Sequence, residues 1–271
     1  MDSALIEQVR QQYSKAAREA IQKEFSQLTV LGACCGEGDD DSCCSTAGVD
    51  HVHIQKPSGA ASFGSALYPA PQLAVLPTIS VAVSSGCGNP VGLADLCPGE
   101  VVLDLGCGGG IDAFLAAQLV GSDGKVFGLE MTEQMLALAK SSQRAAGFAN
   151  VEFLFGYMES IPLPAGCIDV VISNRSVNLS CEKDSVFAEI VRALKPGGRL
   201  AAADVVASDE LSGPERTQRA AAVDCVAGVL SFSQYRDGLG AAGLEGVEVR
   251  PTHEVAPDLF AASIAARRPQ T

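Results

Sequence analysis

The sequence predicts an α/β fold: a mostly parallel sheet with helices on both faces and an antiparallel last strand. Two observations carry this. From residue 100 onward, short apolar runs alternate with stretches of helical period. The first of those runs ends in a cluster of glycines at a strand-to-helix turn.

The elements follow in order. Leu5, Val9, Tyr13, Ala16, Ala17, Ala20, Ile21 and Phe25 recur at helical spacing, which predicts an N-terminal amphipathic helix. Residues 32–65 are rich in Gly, Asp, Ser and Cys without a period, and read as a loop. Residues 101–105 predict a buried strand, 112–120 a helix and 125–129 a second strand. Thr132 suits the N-cap of a helix that runs to about Ala146, where Gly147 stops it. Residues 151–155 and 168–173 predict the third and fourth strands, and 184–194 a helix. Lys195-Pro196-Gly197-Gly198 turns the chain into a fifth strand over 199–206. A helix over 232–242 and strands over 246–255 and 260–266 complete the reading. Three segments are expected: 1–75 as helix and Cys-rich cap loop, 76–206 as a cofactor-binding domain, and 207–271 as a substrate-site segment with the final strands.

Composition narrows the function. With 271 residues, 47% hydrophobic, the chain is long enough for one sizeable core. A net charge of -13 repels phosphate backbones and anionic membranes, so no nucleic acid and no membrane partner is expected. No apolar run reaches the length of a bilayer span, and the first residues lack a signal peptide's apolar stretch. The expected location is cytoplasmic and the expected assembly a monomer. In a reducing compartment, ten cysteines imply free thiols, soft-metal binding or thiol chemistry rather than disulfides.

The turn Asp104-Leu105-Gly106-Cys107-Gly108-Gly109-Gly110 brings backbone close to a ligand at a helix N-terminus. A nicotinamide dehydrogenase would place its third glycine at position 111, which is Ile111 here. Glu130 ends the second strand, where its carboxylate can accept hydrogen bonds from ribose hydroxyls. Together with the Lys195-Pro196-Gly197-Gly198 turn, this set resembles the Rossmann-like class I methyltransferases, whose cofactor is S-adenosyl-L-methionine.

A closer resemblance rests on Ser85-Gly86-Cys87-Gly88-Asn89-Pro90, Met131-Thr132-Glu133-Gln134-Met135, Asn178-Leu179-Ser180 and Asp224-Cys225-Val226-Ala227-Gly228. Over about residues 67–244 the sequence resembles the arsenite methyltransferases. The resemblance implies that Asp104, Gly106, Cys107, Gly108 and Asp112 line the methionine end of the cofactor. It gives Glu130 the ribose contact, where the family usually has Asp. Met131 would flank the adenine, Met158 and Glu159 would meet its edge, and Asn174 would sit on the floor between cofactor and substrate. Cys87 and Cys225 match two of the family's arsenic-binding cysteines. The position of the third, after Ser173-Asn174, is Arg175.

Trivalent arsenic is thiophilic and keeps a lone pair when thiolates bind it, so methylation needs no general base. The expected activity is methyl transfer to arsenite or a mono-substituted organoarsenical. In the second case Cys87 and Cys225 take the two exchangeable positions, and Arg175 meets an anionic group on the organic arm. A simpler reading pairs Arg175 with a surface carboxylate. Cys34-Cys35 and Cys43-Cys44 are candidate accessory thiols for arsenic capture, for a disulfide with Cys87 after turnover, or for zinc. Cys97, Cys107 and Cys167 are expected to pack as small apolar residues. A thiol reductant such as glutathione or thioredoxin is the expected second cofactor. The alternatives are a small-molecule O-, N- or C-methyltransferase, or a non-catalytic thiol-rich arsenic binder.

Overall fold

The computed structural model describes residues 3–32, 63–225 and 227–271. The accessory cysteines Cys34, Cys35, Cys43 and Cys44 lie outside the described residues. The chain opens with α1 (Ser3–Gly32), longer than its apolar period suggested. Three short helices follow, α2 (Ala70–Leu73), α3 (Thr78–Ala82) and α4 (Pro90–Leu93), which the sequence reading lacked.

Alternation then begins, with β1 (Val101–Leu105), α5 (Ile111–Val120), β2 (Lys125–Glu130), α6 (Glu133–Ala146) and β3 (Val151–Phe155). After a long connection come β4 (Ile168–Asn174), α7 (Lys183–Ala193) and β5 (Leu194–Ala207). The remainder holds α8 (Gly213–Ala221), which was not anticipated, α9 (Phe232–Ala241), β6 (Glu245–Ala256) and β7 (Leu259–Arg267).

These strands form one seven-stranded sheet in the order β3-β2-β1-β4-β5-β7-β6. The first five neighbours pair in parallel, and β7 runs antiparallel to both β5 and β6. The last strand is therefore antiparallel, as the sequence predicted. Lys195 to Gly198 does not precede β5 as a separate turn. It is a bulge within the strand's first residues, where the partner register jumps between Ile168 and Val170.

Alternate residues of the central strands feed two cores. Val102, Val170 and Ile172 face α5, while Leu103, Leu105 and Val171 face α7 and α9. Helix α5 is apolar on nearly every side because it is covered on nearly every side. Its Phe114 stacks on Phe148 at 4.7 Å and meets Phe153 edge-on at 5.6 Å. Thr132 does stand at the N-cap of α6, but its side chain makes no cap hydrogen bond. Gly147, in a left-handed conformation, ends that helix.

Helix α1 lies on α6 and α3. Ala17, Tyr13 and Ile21 pack with Met135, Leu138, Ile79 and Val83. Ser14 Oγ donates to Gln134 Oε1 at 2.7 Å. Cys107 is buried as expected and Cys167 partly so, but Cys97 is exposed. It sits on the turn before β1, and its N–H donates to Glu100. Among the described residues no helix is long and apolar enough to cross a membrane.

Candidate active site

The sheet order reverses between β1 and β4, and a cleft opens at the carboxyl ends of these strands. All ten residues expected to hold the cofactor line it: Asp104, Gly106, Cys107, Gly108, Asp112, Glu130, Met131, Met158, Glu159 and Asn174. Arg175 lines it too, and so do Ile6 and Tyr13 of α1, which no motif singled out.

Glu130 braces the glycine turn. One carboxylate oxygen accepts from Gly108 N–H at 3.0 Å and the other from Thr132 N–H at 2.7 Å. Burial raises its pKa, and these donors pull it back. Gly108 has φ +51°, and a Cβ there would meet nothing within 4 Å. It would project into space beside the turn, so glycine leaves a cradle there for a ligand.

Two buried acids face the same cleft. Asp104 is pushed well up by burial and then by the charge of Asp112, and its Oδ2 has no hydrogen-bond partner. Burial also lifts Asp112, to about 6, against the hydrogen bonds of Tyr68 and Asn174. Tyr68 Oη donates to Asp112 at 2.8 Å, and Asn174 Nδ2 donates to Tyr68 Oη at 2.8 Å and to Asp112 at 3.1 Å. A pair of desolvated carboxyls with an orphaned oxygen suits a cationic ligand. The sulfonium and ammonium of S-adenosylmethionine have that charge, and the space beside Gly108 suits its close approach.

Asn174 also reaches a buried cluster that carries two thiols. Cys87 and Cys225 are both buried in one cluster with Ala203, Val205 and Val223. Burial, then the nearby Asp204, raises both thiols; Cys225 is pushed up to about 12, and Arg175 opposes the shift at each. Asp204, raised by burial to about 6, accepts from Asn178 Nδ2 at 2.9 Å, Val205 N–H at 2.8 Å and Tyr235 Oη at 3.2 Å. Lys183, whose pKa burial lowers, feels Asp204, Cys181 and Cys225.

Asn174 joins the two regions. Its Oδ1 accepts from Cys87 N–H at 2.9 Å while its Nδ2 reaches Asp112. This close approach requires glycine at position 86, where a Cβ would stand 2.4 Å from the Asn174 amide nitrogen. The reading of Arg175 as one half of a surface ion pair is wrong. Its side chain is buried, it donates to the carbonyls of Ser85 and Val223, and its guanidinium stacks on Phe63.

A methyltransferase domain model matches residues 96–242, which hold β1 to α9 and most of this cleft. The arsenite methyltransferase of Halobacterium salinarum is 37% identical over 243 residues, 88% of this chain and 59% of that protein. The arsenite methyltransferase of Aquipseudomonas alcaligenes is 42% identical over 158 residues, 55% of this chain and 45% of that protein. The solved arsenic(III) S-adenosylmethionine methyltransferase of Chlamydomonas reinhardtii superposes with a TM-score of 0.61 at 31% identity. That alignment covers 73% of this chain and 72% of the other.

The chain belongs to the arsenite methyltransferase family. It spans 59% and 45% of the length of the two curated relatives. Membership carries S-adenosylmethionine as the cofactor, in agreement with the charge and shape of the cleft. Of the residues that no sequence motif marks, Tyr13 lines the cleft, Tyr68 donates to Asp112, Phe63 stacks on Arg175, and Asp204 acts on both thiols.

Proposed function

We propose that the chain transfers the methyl group of S-adenosylmethionine to trivalent arsenic held by Cys87 and Cys225. The observation that carries this reading is that Cys87 and Cys225 lie buried in one cluster, close enough to act on each other electrostatically, with Asn174 linking the Cys87 N–H to Asp112 of the cofactor cleft. The favoured substrate is a mono-substituted trivalent arsenical, whose anionic arm would meet Arg175 on the cleft wall.

Each thiol forms an arsenic–sulfur bond and gives its proton to the hydroxide that leaves arsenic as water. Neutral thiols suffice for this exchange, so the raised pKa values of Cys87 and Cys225 do not oppose it. S-adenosylmethionine, when bound, supplies an electrophilic sulfonium methyl group for the arsenic lone pair. Asp104 and Asp112 hold the cationic donor, and Asn174 fixes Cys87 relative to them. Tyr13 and Ile6 of α1 line the cleft, where they would help keep water from the methyl group. The methylated arsenic has lost two electrons, which a thiol reductant such as glutathione or thioredoxin returns as it forms a disulfide. Among the described residues no histidine lines the cleft.

The test is incubation with S-adenosylmethionine, a thiol reductant and either arsenite or a carboxylated trivalent organoarsenical, read by mass spectrometry. Methylated organoarsenical is expected. Intact arsenicals of both kinds with unspent cofactor would reject the reading.

A further inference from the structure

Arg175 occupies an unusual backbone position. Strand β4 ends at Asn174, and Arg175 then adopts φ +58°, a left-handed conformation uncommon for a bulky residue. The surroundings hold it there. Its N–H donates to Ala203 O on β5 at 2.7 Å. Its guanidinium centre stands 4.2 Å from the Phe63 ring centroid.

The side chain then divides. Nη1 donates to Ser85 O at 3.0 Å, and Nη2 donates to Val223 O. Ser85 lies two residues before Cys87, and Val223 two residues before Cys225. One rigid fork thus ties together the two segments that carry the buried thiols. Its neighbour Asn174 takes the N–H of Cys87 itself. Among the described residues Arg175 meets carbonyl dipoles, an aromatic face and the Cys225 thiol rather than a carboxylate. Among the described residues, too, no group of three His, Cys, Asp or Glu side chains is placed to share one ion.

We propose that Arg175 is a positioning residue that staples the Cys87 segment to the Cys225 segment and presets a two-thiol site. The site then takes arsenic with two exchangeable ligands, and the third ligand belongs to the substrate. The proposal rests on the arsenic reading above. A preset pair gains its affinity from the second bond being intramolecular, an advantage that vanishes if the two segments move apart.

Phenylarsine oxide is a suitable probe, because it forms two arsenic–sulfur bonds and releases its oxygen with the two thiol protons as water. Methylmercury takes one thiol only. Both are titrated calorimetrically into a chain with Cys34, Cys35, Cys43 and Cys44 changed to Ser. Site assignment comes from Cys87→Ser and Cys225→Ser. Arg175→Met removes a charge that lowers both thiols, so it is expected to weaken methylmercury binding somewhat and phenylarsine oxide binding by about tenfold or more beyond that. A merely structural or electrostatic role would weaken both alike, or neither. Arg175→Lys, which keeps the charge and loses the fork, is expected to fall between Met and wild type, and decides the matter if Arg175→Met does not fold. Phenylarsine oxide affinity equal to wild type in the folded variant overturns the proposal. Since no turnover is read, failure of methylation would leave this result standing, and methylation with unchanged chelation would remove the staple alone.

Discussion

Removing one hydroxyl at Tyr68 should move the pH at which the cofactor cleft works. In Tyr68→Phe, Asp112 loses the hydrogen bond that most strongly favours its ionised form, and only Asn174 remains. A hydrogen bond to a charged group contributes about 1.5–3 kcal/mol, equivalent to roughly one to two pKa units. Asp112 starts at about 6, so in the variant it should titrate between about 7 and 8. At pH 7 the wild-type carboxyl is mostly ionised, while the variant's is between about half and a tenth ionised. If Asp112 holds the cationic cofactor, affinity at pH 7 should fall by about two- to tenfold, and the gap should close by about pH 9. Calorimetric titration of S-adenosylmethionine across that range reads the midpoint directly. Parallel profiles with the same midpoint would refute the assignment of Asp112 as the charge partner.

Other consequences are equally concrete. Gly108→Val strains a left-handed turn and fills the cradle, so cofactor binding should be lost while the folded state, read by far-UV circular dichroism, persists. Asp204 is raised from 3.8 to about 6 in the folded protein. The folded state therefore holds that proton more tightly, and stability drains away as pH rises through the window between those values. Asp204→Asn abolishes this dependence, so across that window the variant should gain roughly 3 kcal/mol relative to wild type, whatever constant cost the amide brings. Urea denaturation at pH 4 and pH 7 measures the change; an unchanged gap would contradict the burial argument.

Much of the fold was legible because parallel strands buried on both faces leave continuous apolar runs, as at residues 101–105 and 168–173. The glycine turn was legible because its spacing reflects backbone geometry that few ligands require. The short helices α2 to α4 were not, since four or five residues carry no period. Helix α8 was missed although Ser212 and Glu215 form a capping box with Pro214 inside it, a signal present in the sequence. In the site, Cys87, Cys225 and the cofactor residues sit in local motifs. Tyr68 and Tyr13 reach the cleft only by tertiary packing, and no neighbour in sequence marks them. Asp204 could have been found as the lone acid in an otherwise apolar strand. Arg175 was conspicuous as a departure, but its partners are backbone carbonyls of Ser85 and Val223, which have no sequence signature.

We propose that Cys87 and Cys225 hold the arsenic that receives the methyl group. Mass spectrometry of arsenicals after incubation with cofactor and thiol reductant tests it most directly, with wild type beside Cys87→Ser and Cys225→Ser. Methylated arsenic is expected from wild type and loss of product from each single variant, with S-adenosylmethionine binding retained in both. Product formation undiminished in either variant would contradict it.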